Sequence, residues 1–230
     1  LAPFAEGRTN VLLVGDSYGQ DWANAMDAHG VWDRVSLSTY HIDAFCGNLW
    51  PEESIEHLVV ESGQAHCSRH LKYDDPVLQE RIAEADWILL VSSWDFWHVP
   101  YLPETVNRLE KVTQGKVRVV GAKSFGQLST RDYREFLQIP LEERLQLRTQ
   151  PKDKVVDADR AVKQVLNPVN YVSMFDPICG GDTSCPLFTP EGALISFDGG
   201  HFTPEGARLA GKLILEKAPL EFMHTVPPNP

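Results

Sequence analysis

Residues 11–14 read Val-Leu-Leu-Val and residues 87–91 read Trp-Ile-Leu-Leu-Val, apolar runs with no polar interruption. A strand with one wet face alternates apolar and polar residues, so an unbroken run of this kind is a strand covered on both faces. The constraint is severe, because sheets covered on both faces are built almost entirely from parallel strands joined through helices. Three further segments fit the same sheet, at 35–40, 117–121 and 171–174. Helical patterns separate them. Residues 18–29 place Trp22, Ala25, Met26 and His29 at helical spacing, with Gly30 as the expected C-cap. Residues 103–114 open with Pro103 and are followed by Gly115, the usual asymmetry of helix ends. Residues 130–166 read as mostly helical with breaks at Pro140 and Pro151, and a last helix spans 204–217 with Thr203 as N-cap. Met26 and Met174 read as core filler. The expected architecture is α/β, a three-layer α/β/α sandwich around a central five-stranded parallel sheet. Residues 41–80 lack clear periodicity and read as a long irregular excursion with one short helix near 76–84; a small hairpin is expected near 187–197.

A chain of 230 residues with 43% hydrophobic content suits one domain with a sizeable core. The expected division is a single domain over 1–230, with its core at about 9–217 and a terminal tail over 218–230. The formal net charge of −11 argues against nucleic acid as a partner, since phosphate binding needs clustered Lys and Arg and only pairs such as Lys116 and Arg118 occur. No apolar run approaches the roughly 18–20 residues that cross a bilayer. The chain starts at Leu1 without a charged leader, compatible equally with a mature protein and with a piece of a longer one.

The four cysteines fall as Cys46 with Cys67 and Cys179 with Cys185. Proximity favours Cys179–Cys185, whose intervening Gly180, Gly181 and Asp182 can turn tightly. Disulfides would imply an oxidising compartment. Two alternatives stay open on the residues alone: four reduced thiols, or a zinc site using His66, Cys67 and His70, although no C-x-x-C is present.

Directly after the first apolar run stands Gly15-Asp16-Ser17, and near the other end stands Asp198-Gly199-Gly200-His201. Ser17 lies where an open α/β sheet places ligands, outside a strand's carboxyl end. The helix that follows aims its N-terminal N–H groups and dipole at that point. If the fold joins the two motifs, Ser17 is a nucleophile, His201 its base and Asp198 the group that orients the base, the arrangement acyl transfer needs. Each motif also has a plain reading: Ser17 as a helix N-cap, Asp198 as the acceptor of an Asx turn. Their conjunction across five strands favours chemistry. No metal ligand set and no cofactor motif stands out.

With these two motifs the chain resembles the SGNH (GDSL-type) hydrolase superfamily, whose fold is the flavodoxin-like sandwich expected above. The segments FCGNL at 45–49, FDPICGGDTSCPLF at 175–188 and ISFDGGHFTPEGARLAG at 195–211 are similar to one subgroup, the SGNH domain fused behind membrane acyltransferase-3 domains. The resemblance implies Ser17, His201 and Asp198 as catalytic residues and a periplasmic or extracellular location, membrane-tethered in a full-length protein. It implies transfer or removal of acetyl-type groups on bacterial envelope polysaccharides. The partners it implies are a carbohydrate acceptor, an acyl donor and a membrane acyltransferase domain or subunit. It further implies that Gly47 supplies an oxyanion N–H beside that of Ser17. The superfamily's third-block Asn is missing, since the loop reads Ser92-Ser93-Trp94-Asp95, and Asn48 is the candidate to compensate. Trp94 and Trp97, in a cluster with Phe96 and Tyr101, are candidates for stacking on sugar rings, against the alternative that they are core. His41 and His98 are placed near the site without an assigned role. The transferase reading leads; an esterase with the same triad and a non-catalytic carbohydrate-binding domain are the rivals.

Overall fold

The computed structural model describes residues 1–69, 72–180, 184–217 and 220–223. In chain order the elements are β1 (Thr9–Gly15), α1 (Ser17–Asp27), β2 (Val35–His41), α2 (Glu61–Cys67), α3 (Pro76–Glu84), β3 (Trp87–Val91), α4 (Leu102–Val112) and β4 (Lys116–Val120). They continue as α5 (Thr130–Phe136), α6 (Leu141–Arg144), β5 (Arg148–Thr149), α7 (Asp153–Val165), β6 (Tyr171–Val172), α8 (Phe175–Cys179), β7 (Cys185–Pro186) and α9 (Pro204–Lys217).

Five strands form one sheet in the order β2-β1-β3-β4-β6, and every neighbouring pair is parallel. The uninterrupted runs explain why. Along β1, Val11 and Leu13 point into one core with Trp22, Ala25 and Met26 of α1 and Ala210 and Ile214 of α9. Leu12 and Val14 point into a second core with Leu78 and Ile82 of α3, Leu102, Val106 and Leu109 of α4 and Val162 of α7. Both faces are covered along Val11–Val14, which is why those four positions are apolar without interruption, while polar Thr9 and Asn10 lie at the less buried start of the strand. Met26 and Met174 lie in the first core. The three-layer α/β/α architecture is therefore as expected.

The strand order reverses between β1 and β3, which lie side by side with Gly15 opposite Val91. In an open parallel sheet this switch point opens a crevice at the carboxyl ends of the strands. The loops after β1, β3 and β4 all meet there.

Three local expectations are corrected. Residues 41–80 hold more structure than one short helix: α2 and 3₁₀ turns at Ala44–Cys46, Glu56–Leu58 and Lys72–Asp74 accompany α3. The stretch 130–166 is broken not only by its prolines but by β5, which pairs antiparallel with β7. Near 187–197 the hairpin is reduced to a single bridge, Phe188 with Leu194. Leu187, Phe188 and Leu194 make a small separate core there, with Leu128, Phe136 and Leu147 against it.

Disulfides join Cys46 to Cys67 and Cys179 to Cys185. The reduced-thiol alternative is thereby set aside. So is zinc at Cys67: Asp43, Cys46 and His66 lie close together, but Cys46 is spent in a disulfide and offers no thiolate, and His66 instead meets Asp43 at 2.6 Å. His70, the other candidate zinc ligand, falls outside the described residues, as do 181–183 of the cysteine loop and 224–230 of the tail.

Candidate active site

The turn between β1 and α1 places the first group. Asp16, not Ser17, is the N-cap of α1: its Oδ1 accepts from the Tyr18 N–H at 2.8 Å. Its Oδ2 accepts from the Ser93 N–H, also at 2.8 Å, which ties the loop after β3 to the turn after β1. Burial raises the Asp16 carboxyl pKa, opposed by these same two backbone hydrogen bonds. With the cap supplied by Asp16, the Ser17 hydroxyl is free for another partner. Ser17 is exposed, at the first position of the helix, where its N–H has no intrahelical acceptor.

The second group comes from the turn before α9. Asp198 Oδ1 accepts from the N–H groups of Gly200 at 2.8 Å and His201 at 2.7 Å, so the acid folds back on its own turn. Gly199 has φ +84°, and a Cβ there would lie 2.1 Å from the Gly126 carbonyl oxygen, so only glycine serves. Phe125 N–H donates to the Gly199 carbonyl at 2.7 Å, binding the turn to the loop after β4. Thr203 caps α9 through a 3.0 Å bond from the Gly206 N–H, as expected from the sequence.

Between these two turns runs a continuous hydrogen-bonded chain. Asp198 Oδ2 and His201 Nδ1 are 2.7 Å apart, and His201 Nε2 and Ser17 Oγ are 2.8 Å apart. Partial burial pushes the Asp198 carboxyl up, but the hydrogen bonds from the His201 backbone, the His201 ring and the Gly200 N–H outweigh it and hold the pKa at about 2. An ionised carboxylate can only accept, so the His201 proton sits on Nδ1 and Nε2 is left to accept from the Ser17 hydroxyl. Tyr18 packs edge-on to the imidazole at 5.7 Å between centroids, and Phe197 lies nearly parallel to it at 5.9 Å.

The flanking candidates divide. Gly47 has φ +76°, and a Cβ there would stand 2.6 Å from Trp97 Cη2, so glycine is needed for the turn itself; its N–H donates to the Ala44 carbonyl over a long 3.3 Å. Asn48 does not fit an oxyanion role for its side chain. It is buried, its Nδ2 donates to the Val14 carbonyl at 2.8 Å and to Ser92 Oγ at 3.1 Å, and its Oδ1 accepts from the Tyr73 hydroxyl at 2.6 Å. Both of its donors are committed to bracing β1 against the loop after β3. Trp94 is corrected as well: it is only 3% exposed, and its indole N–H donates to the Val120 carbonyl at 2.7 Å. A side chain so placed is core and cannot meet a sugar. Trp97 is half-buried and stacks on His98 at 3.8 Å. His98 is buried and its pKa is pushed down to about 4, chiefly by desolvation, so it is a neutral strut against the Asp95 backbone. His41 engages Asp43 at 3.0 Å.

Sequence reading passed over four contributors: Asp16 as cap, Phe197 beside the acid, and the pair Asp21 and Lys123. Lys123 carried a signal, being a lone charge just after an apolar strand at the carboxyl edge of the sheet.

Comparison with known proteins places the chain in a family. A family model described as the SGNH domain fused to AT3 domains matches residues 1–216. Among curated protein sequences none matches the chain. Among solved structures, the periplasmic domain of a lipopolysaccharide acetyltransferase from Salmonella ser. Paratyphi A superposes with a TM-score of 0.61 at 15% identity, over 93% of this chain and 85% of that one. At that identity the likeness speaks for the shared fold. The family model covers nearly the whole sequence, so this chain belongs to the family of SGNH domains fused to AT3 domains.

Proposed function

We propose that this domain is a serine-dependent O-acyltransferase that moves an acetyl-type group onto hydroxyls of a bacterial envelope polysaccharide, on the periplasmic side of the membrane. The observation that carries the proposal is the unbroken chain Asp198–His201–Ser17, with links of 2.7 and 2.8 Å. In this reading His201 Nε2 takes the Ser17 proton as Oγ attacks the carbonyl carbon of the donor ester. The tetrahedral oxyanion meets the Ser17 N–H and the positive end of α1, with Gly47 N–H as the further candidate donor. Collapse expels the donor alcohol, which takes its proton from His201, and leaves an acyl-Ser17 ester. The acceptor hydroxyl then gives its proton to His201 and attacks the same carbonyl, and as the intermediate collapses His201 returns that proton to the departing Ser17 Oγ. Asp198 stays ionised throughout and stabilises the imidazolium.

Three observations support the location and partners. The disulfides suit an oxidising compartment. Proteins of this family carry membrane AT3 domains, a source for the acyl donor. The neighbour of known structure is itself the periplasmic domain of an acetyltransferase. One observation favours a second reading, esterase chemistry, for the domain on its own: the Asp198 and His201 side chains are 42% and 34% exposed, so water reaches the acyl-enzyme.

The test compares wild type with Ser17→Ala for acetate release from p-nitrophenyl acetate, with and without an oligosaccharide acceptor. The proposal expects release by wild type alone and acetylated acceptor when a sugar is present. Hydrolysis without transfer at saturating acceptor would favour the esterase. Equal rates for wild type and variant, with no transfer, would leave the non-catalytic carbohydrate-binding reading.

A further inference from the structure

Lys123 is the one lysine among the fully buried side chains of the described residues, with 2% of its side chain exposed. It lies in the loop after β4 and takes no part in the chemistry above. Its ammonium nevertheless touches both halves of the site. Nζ lies 2.7 Å from Asp21 Oδ2, donates to the Gly200 carbonyl at 2.6 Å, and sits 3.5 Å from the centroid of the Tyr18 ring. Asp21 and Tyr18 belong to α1, one turn and one residue beyond Ser17. Gly200 lies between the acid and the base.

An ammonium has three protons, and here they meet a carboxylate, a carbonyl and an aromatic face. The group is saturated, so it is neither a spare base nor a nucleophile. Its carboxylate and carbonyl partners are also held from elsewhere, Gly200 through its N–H to Asp198 Oδ1 at 2.8 Å. Asp21 Oδ2 accepts from the Phe202 N–H at 3.2 Å, a second bond from α1 to the residue after His201. The Tyr18 hydroxyl donates to the Lys123 carbonyl at 3.3 Å. Asp159 Oδ1 accepts from Ala122 N–H at 2.9 Å and anchors the loop that carries the lysine. Desolvation lowers the Lys123 pKa, opposed chiefly by the Asp21 carboxylate.

We propose that Lys123, ion-paired with Asp21, is a positioning residue that locks the nucleophile helix to the acid–base turn and so sets the Ser17–His201 distance. The proposal rests on the triad reading above. Ser17 and His201 are 184 positions apart in sequence, and their 2.8 Å contact depends on two turns that no continuous strand connects. Removing the ammonium leaves the Gly200 carbonyl and the α1 carboxylate without their common partner, and the imidazole shifts away from Oγ. A displacement of about 1 Å at such a contact costs about a hundredfold in rate.

The experiment uses four proteins: wild type, Lys123→Met, Asp21→Asn and the double variant Lys123→Met/Asp21→Asn. The double variant removes the charge that Lys123→Met would strand, while the asparagine oxygen still accepts from Phe202 N–H, so it holds the fold if the single variant does not. Steady-state hydrolysis of p-nitrophenyl acetate is expected to show kcat lower by about 10- to 100-fold in both methionine variants, with KM within twofold. Asp21→Asn falls between them and wild type. A downfield N–H resonance from His201 Nδ1 is expected in wild type from its 2.7 Å bond to Asp198, and it should broaden or vanish in the methionine variants. A folded double variant with kcat within twofold of wild type and the resonance intact would overturn the proposal and reduce Lys123 to a packing role. Should wild type prove no faster than Ser17→Ala, the catalytic reading fails separately, and the resonance alone decides whether Lys123 holds the turn.

Discussion

Asp198→Asn separates geometry from charge at this site. In the native turn Oδ1 is fixed by two backbone donors, the N–H groups of Gly200 and His201, while Oδ2 faces His201 Nδ1. Asparagine has one oxygen and one NH₂. The two backbone donors demand the oxygen, because the reverse flip would oppose the NH₂ to two N–H groups. The NH₂ therefore faces Nδ1, which must become an acceptor, and the ring proton moves to Nε2. There it points at Ser17 Oγ, and the base can no longer take the serine proton. The same logic underlies the wrong-tautomer variant of chymotrypsin-type enzymes, where the loss is about 10⁴ in kcat. The expectation here is a fall of about 10³–10⁴ in kcat for p-nitrophenyl acetate. The turn keeps its two backbone bonds and Asp198 is 42% exposed, so solvent screening holds the stability loss to about 1 kcal/mol or less by urea denaturation. A folded Asp198→Asn protein with more than a tenth of wild-type activity would refute this tautomer argument and with it the role given to Asp198.

Other expectations rest on separate parts of the molecule. Gly47→Ala forces a positive φ on a residue with a Cβ and drives that Cβ onto Trp97; it should cost about 1–3 kcal/mol, and since alanine keeps the N–H, kcat falls, by up to about 10²-fold, only where the shifted turn carries that N–H off the oxyanion. A stability loss with unchanged kcat would make Gly47 a turn residue only. Replacing Cys46 and Cys67 by alanine opens a 21-residue loop and should lower stability by about 3 kcal/mol on the chain-entropy argument, read as a shift in urea midpoint; no shift would show that the bridge contributes little. Asp159 gives a pH signature. Burial lifts its pKa from 3.8 to about 6, against hydrogen bonds from the Tyr171 hydroxyl and the Ala122 N–H. The folded state then binds a proton more tightly than the unfolded chain, so this stabilisation is full below about pH 4 and is lost as pH rises through 6. The difference is worth about 3 kcal/mol. Asp159→Asn should therefore narrow the stability gap between pH 4.5 and 7.5 relative to wild type, and an unchanged gap would contradict it.

Sequence reading succeeded where one physical rule acts locally. The run 11–14 is buried on both faces, so its strand could be read without a partner, and β3 likewise. The helices after them were set by spacing and by end signals such as Pro103 and Thr203. It failed where pairing is long-range and short. β5 and β7 contribute two residues each and are joined only by their ladder, so no local pattern announces them. At the site, motif order identified Ser17, Asp198 and His201 as a candidate set, but not how the turns are braced. Asp16 looked like one letter of a motif and proved to be the cap that frees the Ser17 hydroxyl. Trp94 stays open in sequence between a sugar platform and core, because composition says nothing about which way an indole points; its N–H answers the Val120 carbonyl and makes it core. Asn48 had the right chemistry for an oxyanion donor, yet three neighbours already satisfy its amide. Lys123 stands out in sequence only as a lone charge after an apolar strand, and its role is not legible there because its partners Asp21 and Gly200 lie 102 positions before and 77 after it.

The central claim is that Ser17 carries the acyl group. Rapid quenching of wild type mixed with p-nitrophenyl acetate, followed by proteolysis and mass spectrometry, tests it directly. The account predicts that one acetyl group appears on the peptide containing Ser17 at the rate of the p-nitrophenol burst and is absent from His201→Ala. An unmodified Ser17 peptide during turnover, or an acetyl group accumulating equally in Ser17→Ala, would contradict it.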